Sequence, residues 1–294
     1  MQKSTLSWVI LVILSLVWGS SFILMKRGLE AFDSDEVAAL RISIAFLFLL
    51  PFLLKYYKIN LKKYFVGLVF MGVFGNLIPA FLFTKAETQI SSSLTGMLNA
   101  LTPLFTIIIG FVWFKEKPGN AKIFGIIIGF IAACGLVVFD KSTQTSNNEL
   151  YAFYVLLATV FYALSINGIK KYLSDLDSIK ATVWAFSFTG PIALVYLFTN
   201  TKFVTHVQLP NAIISLGYIS VLAIVGSALT VIIYNYLIKT AGAVFASSCT
   251  YLIPIVAIGW GLFDGEKVSF LQIICIAILI FSVYVINKPQ KFAH

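Results

Sequence analysis

Charge is what this chain has least of. Only 11% of its 294 residues are Asp, Glu, Lys or Arg, against 60% apolar. Water-soluble domains carry about 25% charged residues, so a soluble enzyme, a nucleic-acid binder and a disordered segment are excluded. Histidine is nearly absent, and neither His206 nor His294 falls in an apolar run. All twelve acidic residues lie in loops or near the ends of apolar runs, none in the middle of one. The three cysteines, Cys134, Cys249 and Cys275, sit in apolar stretches and form no C-x-x-C pair. They read as packing residues rather than a disulfide or a metal site. There is no G-x-S-x-G elbow and no metal-ligand cluster, so the chain is expected to be no enzyme, with no catalytic residue, metal or cofactor.

What is abundant is apolar sequence, with a mean hydropathy of +0.95. A window of about 20 residues, the length that crosses a bilayer as a helix, marks ten spans. They run over 6–25, 37–54, 64–84, 94–114, 121–139, 150–170, 181–198, 212–236, 243–263 and 268–287. The first follows only Lys3 and has no small-x-small cleavage signal, so it reads as a retained span. With the N-terminus inside, the cytoplasmic segments carry fourteen of the 21 Lys and Arg residues and the opposite side seven. That bias puts both termini in the cytoplasm and accounts for the net charge of +9. Lys-, Ile- and Phe-rich usage with short tails fits a bacterial inner membrane.

A repeat runs through the chain at an offset of about 150 residues. Gly75 and Pro103 are 28 apart, as are Gly226 and Pro254. Between them Phe83-Thr84 matches Tyr234-Asn235, and Asn99 matches Thr250. Glu116-Lys117 is echoed by Glu266-Lys267 after a one-residue slip, and Trp18-Gly19 by Phe161-Tyr162. The expected halves are 1–145 and 146–294, with five spans each. Five is odd, so the second half enters the membrane upside down, an arrangement that encloses sites at the bilayer midplane.

At Trp18-Gly19-Ser20-Ser21-Phe22, Arg41, Pro103 followed by Glu116, and their echo in Pro254 and Glu266, the chain resembles the EamA-type ten-helix permeases of the drug/metabolite transporter superfamily. The resemblance covers nearly the whole chain. It implies an all-α integral membrane fold, ten transmembrane helices arranged as two inverted five-helix EamA-like repeats around a central cavity, and alternating access. Members carry amino acids, nucleotide sugars, vitamins or drugs, so the resemblance implies small-molecule transport without naming a solute.

Polar residues inside the spans are the candidates for the work, because each costs free energy to bury. Thr95, Asn99, Thr102 and Thr106 form one helical stripe in span four. Pro103 removes a backbone donor and frees the carbonyl of Asn99; Pro254 does the same at Thr250, so both prolines read as helix breaks. Threonines also bond back to their own helix, the competing reading for this stripe. The expected cavity set is Trp18, Asn76, Phe83, Asn99, Thr102, Tyr162, Ser165, Tyr234, Asn235, Thr250 and Tyr251. Arg41, near Asp35 and Glu36, is expected to pair or snorkel at the outer end of span two. Glu116 and Glu266, at span ends on opposite faces, are expected to help close two gates. Gly125-x-x-x-Gly129 reads as internal helix packing.

The resemblance also marks a departure. The small four-helix multidrug members exchange protons for cationic drugs through a mid-helix Glu, which this chain lacks. Facilitated diffusion, exchange, or proton coupling through an end-of-helix group such as Glu87 remain. A neutral, aromatic-lined cavity suits zwitterions, which makes amino acids or similar amphipathic solutes the leading substrate class. Drugs, nucleoside-type or vitamin-like solutes are the alternative. A channel or membrane scaffold is the reading from another class, although no Gly-rich filter or ring of charges is present. The expected partners are a small-molecule substrate and membrane lipid, with no nucleic acid, and the expected state is a monomer.

Overall fold

The computed structural model describes residues 5–114, 120–139 and 148–287. Every regular element among them is a helix. Lipid dictates this, because backbone polar groups have no water to bond and must be satisfied within the segment. In chain order the helices are α1, Thr5–Gly28; α2, Ser34–Tyr56; α3, built of Leu61–Val69, Phe70–Leu77 and Ile78–Glu87; and α4, built of Ser92–Asn99 and Thr102–Phe114. Then come α5, Asn120–Val138; α6, Asn148–Tyr172; and α7, Ser178–Asn200. The last three are α8, built of Ala212–Ala223, Ile224–Leu229 and Thr230–Ala241; α9, built of Ala243–Ser247, Ser248–Tyr251 and Ile253–Phe263; and α10, Phe270–Asn287.

Eight helices, α1 to α4 and α6 to α9, are long and apolar enough to cross a membrane. The apolar stretches of α5 and α10, Ile123–Val138 and Phe270–Ser282, are shorter. Eight of the expected ten spans thus meet helices long and apolar enough to cross, and the other two fall on α5 and α10, in an all-helical, multi-pass membrane protein. Helix starts are set by short polar side chains. Asn60 accepts from the Lys63 amide, Ser91 from that of Leu94, and Asp177 from those of Ile179 and Lys180.

The perimeter is apolar, as a lipid-facing surface requires: Ile213, Phe263 and Phe270 are 75%, 90% and 75% exposed. Inside, α2 packs along α7 and α5 along α10. Small residues allow the close approach that replaces hydrophobic driving force in lipid. The missing side chain of Gly190 on α7 is filled by the Phe46 ring of α2. Gly129 on α5 accommodates Ser282 of α10, so the Gly129 end of the Gly125-x-x-x-Gly129 pattern serves internal packing. All three cysteines are free.

Four helices are irregular, and the irregularities are paired across the chain. The Phe70–Leu77 segment of α3 and the Ile224–Leu229 segment of α8 are π-helical. A π-turn adds one residue and displaces the hydrogen-bond ladder. The Asn76 Nδ2 donates to the Met71 carbonyl at 2.8 Å, and the Ser227 hydroxyl donates to the Leu222 carbonyl at 3.3 Å. These donors and acceptors are related by the same offset that relates Gly75 to Gly226. The chains of α4 and α9 are interrupted too, at Ala100–Leu101 and through the 3-10 segment Ser248–Tyr251, each just before its proline.

Candidate functional site

All four irregularities open onto one cavity. Gly75 and Asn76 reach it from the α3 π-turn, Gly226 from the α8 π-turn, Asn99 and Thr102 from the two sides of the α4 break, and Thr250 from the 3-10 segment of α9. Irregular backbone at membrane depth is tolerated where protein or a cavity surrounds it. The cavity offers about 100 Å³ to the centres of water-sized molecules. One water needs about 10–15 Å³ on that measure, so there is room for several waters or one small solute.

Its walls are aromatic. The Trp18 Nε1–H donates to the Gly226 carbonyl at 2.9 Å, which fixes the indole against the α8 π-turn. Trp18 meets Tyr234 edge-on with ring centroids 4.8 Å apart. Phe83 stacks with Tyr162 at 5.6 Å and lies 5.9 Å from Phe22. With the Trp18 N–H committed, this wall offers ring faces and edges, which suit an apolar or flat group.

The polar groups are few. Asn235 donates from Nδ2 to the Thr182 hydroxyl at 3.0 Å, while its buried Oδ1 has no partner among the described residues. The carbonyl that Pro103 frees at Asn99 accepts the Thr102 hydroxyl at 2.8 Å. Among the described residues Arg41 is the one charged residue that lines the cavity. Its Nε donates to the Ser227 hydroxyl at 2.8 Å, and the Tyr162 hydroxyl lies in hydrogen-bonding reach of the guanidinium. Arg41 makes no ion pair among the described residues.

A polar network ties the ends of α1, α4 and α9 together beside Met25, another lining residue. The Glu266 carboxylate accepts Lys26 Nζ at 2.7 Å, the Ser92 amide and hydroxyl at 3.1 and 2.8 Å, and the Ser93 amide at 3.0 Å. The Ser93 hydroxyl completes the set. Asp264 pairs with both Lys26 and Arg27. Burial alone would raise the Glu266 carboxyl, but the bonds from Lys26, Ser93 and Ser92 outweigh it and hold the group at about 2. It also sits at the N-terminus of α4, where a negative charge is favoured. Elsewhere Lys63 and Tyr64 hold the exposed Asp175 carboxylate, and Lys63 foremost pulls it below its usual range.

A sequence profile of the EamA-like transporter family matches the chain twice, over residues 6–138 and 149–288. The chain belongs to the EamA-like transporter family. Among its relatives is an uncharacterized inner membrane transporter of Escherichia coli, YedA, 25% identical over 93% of this chain and 88% of that one. A WAT1-related chloroplastic protein of Arabidopsis thaliana is 25% identical over 98% of this chain and 71% of its own length. The uncharacterized transporter YdfC of Bacillus subtilis is 24% identical over 94% and 90%. A crystal structure, described only as that of a protein, shares the fold with a TM-score of 0.67 at 12% identity, covering 97% of both chains.

In this EamA chain the structure brings ten of the expected residues to the cavity: Trp18, Asn76, Phe83, Asn99, Thr102, Tyr162, Ser165, Tyr234, Asn235 and Thr250. Tyr251 does not line it and packs instead against the apolar core. Thr95, Thr102 and Thr106 each bond back to a carbonyl of their own span. Glu266 lies in the α1–α4–α9 network, whereas Glu116 lies outside the described residues. Arg41 differs from expectation. Glu36 is taken by His206 at 2.8 Å and Asp35 by the Tyr196 hydroxyl at 3.0 Å, and Arg41 turns to the cavity. The spacing carried the signal: Asp35 and Glu36 lie six and five residues before Arg41, off its helix face, whereas three or four would share it. The cavity is therefore positively charged, not neutral. Met71, Ile166, Ile169 and Val231 also line it and carried no signal, since apolar residues look alike whether they face lipid, core or cavity.

Proposed function

We propose that this EamA-family transporter carries small amphipathic solutes bearing a carboxylate, with amino acids the leading class, by alternating access across a bacterial inner membrane. It acts in transport and not as an enzyme. The observation that carries this reading is Arg41, a cation in an aromatic cavity with no ion-pair partner among the described residues. A charged side chain in a membrane span is costly and is kept for a task. A guanidinium matches a carboxylate with two parallel bonds. The aromatic wall takes the solute's apolar part, and the open Oδ1 of Asn235 supplies an acceptor for an ammonium group. Permanently cationic drugs fit such a cavity poorly.

With both termini in the cytoplasm, the Glu266 network lies on the outer face. That placement supports reading this conformation as one closed to the outside. The test is counterflow in proteoliposomes preloaded with a pooled metabolite panel, comparing the native protein with Arg41→Gln and Asn99→Ala. Exchange of amino acids or other carboxylates, weakened roughly 10- to 100-fold in apparent affinity by Arg41→Gln, is the expected result. Exchange confined to solutes without a carboxylate would discard the substrate class and keep the transporter.

A further inference from the structure

Glu87 closes α3 at its C-terminal end, with its side chain buried and neither carboxyl oxygen bonded among the described residues. Its acidic neighbours are satisfied differently: Glu266 has Lys26 and the α4 amides, and Asp264 has two cations. An ionised Glu87 would have neither donors nor water, and it would face the negative end of its own helix. The charged groups that act on it are Lys26 of α1, Arg41 of α2 and Glu266 beyond α9. The other helices packed along this end of α3 are α4 and α6, and none of their charged groups whose side chains are described acts on Glu87. Lys26 is engaged by Asp264 and Glu266. That leaves Arg41 as the uncommitted positive charge that favours a Glu87 carboxylate.

We propose that Glu87 is the proton-coupling site of this transporter, exchanging its proton according to whether a solute carboxylate occupies Arg41. The inference rests on the carboxylate reading of the cavity. In the empty protein, once the cavity opens and water reaches Glu87, the field of Arg41 favours release of the proton. A bound carboxylate cancels that field, so Glu87 takes up a proton from the side to which the cavity is open. When the solute leaves on the other side, the field returns and the proton follows. One proton therefore moves with each solute, in the same direction. For a zwitterion the cycle carries one positive charge. By linkage, solute binding strengthens as pH falls through the range in which the empty Glu87 titrates.

Proteoliposomes and a pool of neutral L-amino acids test this. Native protein is expected to show both counterflow and accumulation driven by an inside-alkaline pH gradient. Glu87→Gln, an isostere of the neutral acid, is expected to keep counterflow within about twofold and to lose gradient-driven accumulation at least tenfold. Counterflow without gradient-driven accumulation in native protein would overturn the proposal, as would accumulation that survives Glu87→Gln. Absence of counterflow from native protein would instead remove the carboxylate reading beneath it. A second measurement needs no variant of Glu87. Adding the pool to native protein in lightly buffered detergent should take up as much as one proton per molecule, and Arg41→Gln should take up none. No uptake by native protein at any pH from 5 to 9 would overturn the proposal.

Discussion

Arg41 is positioned from the far side of the chain, by a bond from its Nε to the Ser227 hydroxyl. A guanidinium can hold that bond and still present further N–H groups in a planar fork; a lysine ammonium is a point charge on a flexible stem. Arg41→Lys should therefore preserve attraction for anions while losing geometry. Its apparent affinity for amino acids in counterflow is expected to fall between native and Arg41→Gln, with poorer discrimination between carboxylates and inorganic anions. Equal behaviour of Arg41→Lys and native protein would show that charge alone is used. The residue was visible in the sequence as a span charge, and its neighbours Asp35 and Glu36 suggested partners. Their helical phase, a five- and six-residue separation, argued otherwise.

The π-turns of α3 and α8 are the elements that differ most from a plain spanning helix. Each needs a side chain to occupy a displaced carbonyl, but the two side chains bear unequal duties. Among the described residues Asn76 bonds only the Met71 carbonyl, whereas Ser227 bonds the Leu222 carbonyl and also receives Arg41. Asn76→Ala should cost about 1 kcal/mol and Ser227→Ala about 2–3 kcal/mol, the excess arising from a guanidinium N–H left without its acceptor. Thermal unfolding in detergent reads the order, and a larger loss in Asn76→Ala would contradict it. The breaks in α4 and α9 were legible because Pro103 and Pro254 announce them. The π-turns were not: nothing in Gly75-Asn76 or Gly226-Ser227 distinguishes a bulge from close packing, and only the shared offset marked both places. Helix positions followed from apolar runs, because a run of about 20 apolar residues leaves the backbone no partner but its own helix.

At the scale of the whole molecule, the α1–α4–α9 network ties three helix ends together, and in the proposed transport cycle it serves as a latch. Glu266, held at about 2, is ionised at every pH at which the cell membrane operates. The sign follows: the group's depressed value gives stability that is complete above its ordinary range near 4.5 and is lost only as pH falls through about 2. Any pH dependence of transport between 5 and 8 therefore does not originate in Glu266. Glu266→Gln should loosen the latch roughly tenfold or more, since it exchanges charge-assisted bonds for neutral ones. The measurement is labelling of Ser21→Cys, a cavity position, by a membrane-impermeant maleimide added from outside. Faster labelling in the Glu266→Gln background is expected, with an unchanged pH profile from 5 to 8.

The bond between Arg41 and Ser227 joins residues 186 positions apart, and ribosomes add about 5–20 residues per second. Roughly 10–40 seconds of synthesis thus separate the arrival of α2 in the bilayer from that of its acceptor on α8. Throughout that interval the nascent first half holds a bare guanidinium at the translocon exit, with only Tyr162 of α6 reaching it earlier. The halves are therefore expected to depend on one another during biogenesis. Residues 1–145 expressed alone should be cleared by membrane quality-control proteases, and co-expression with 146–294 should rescue them.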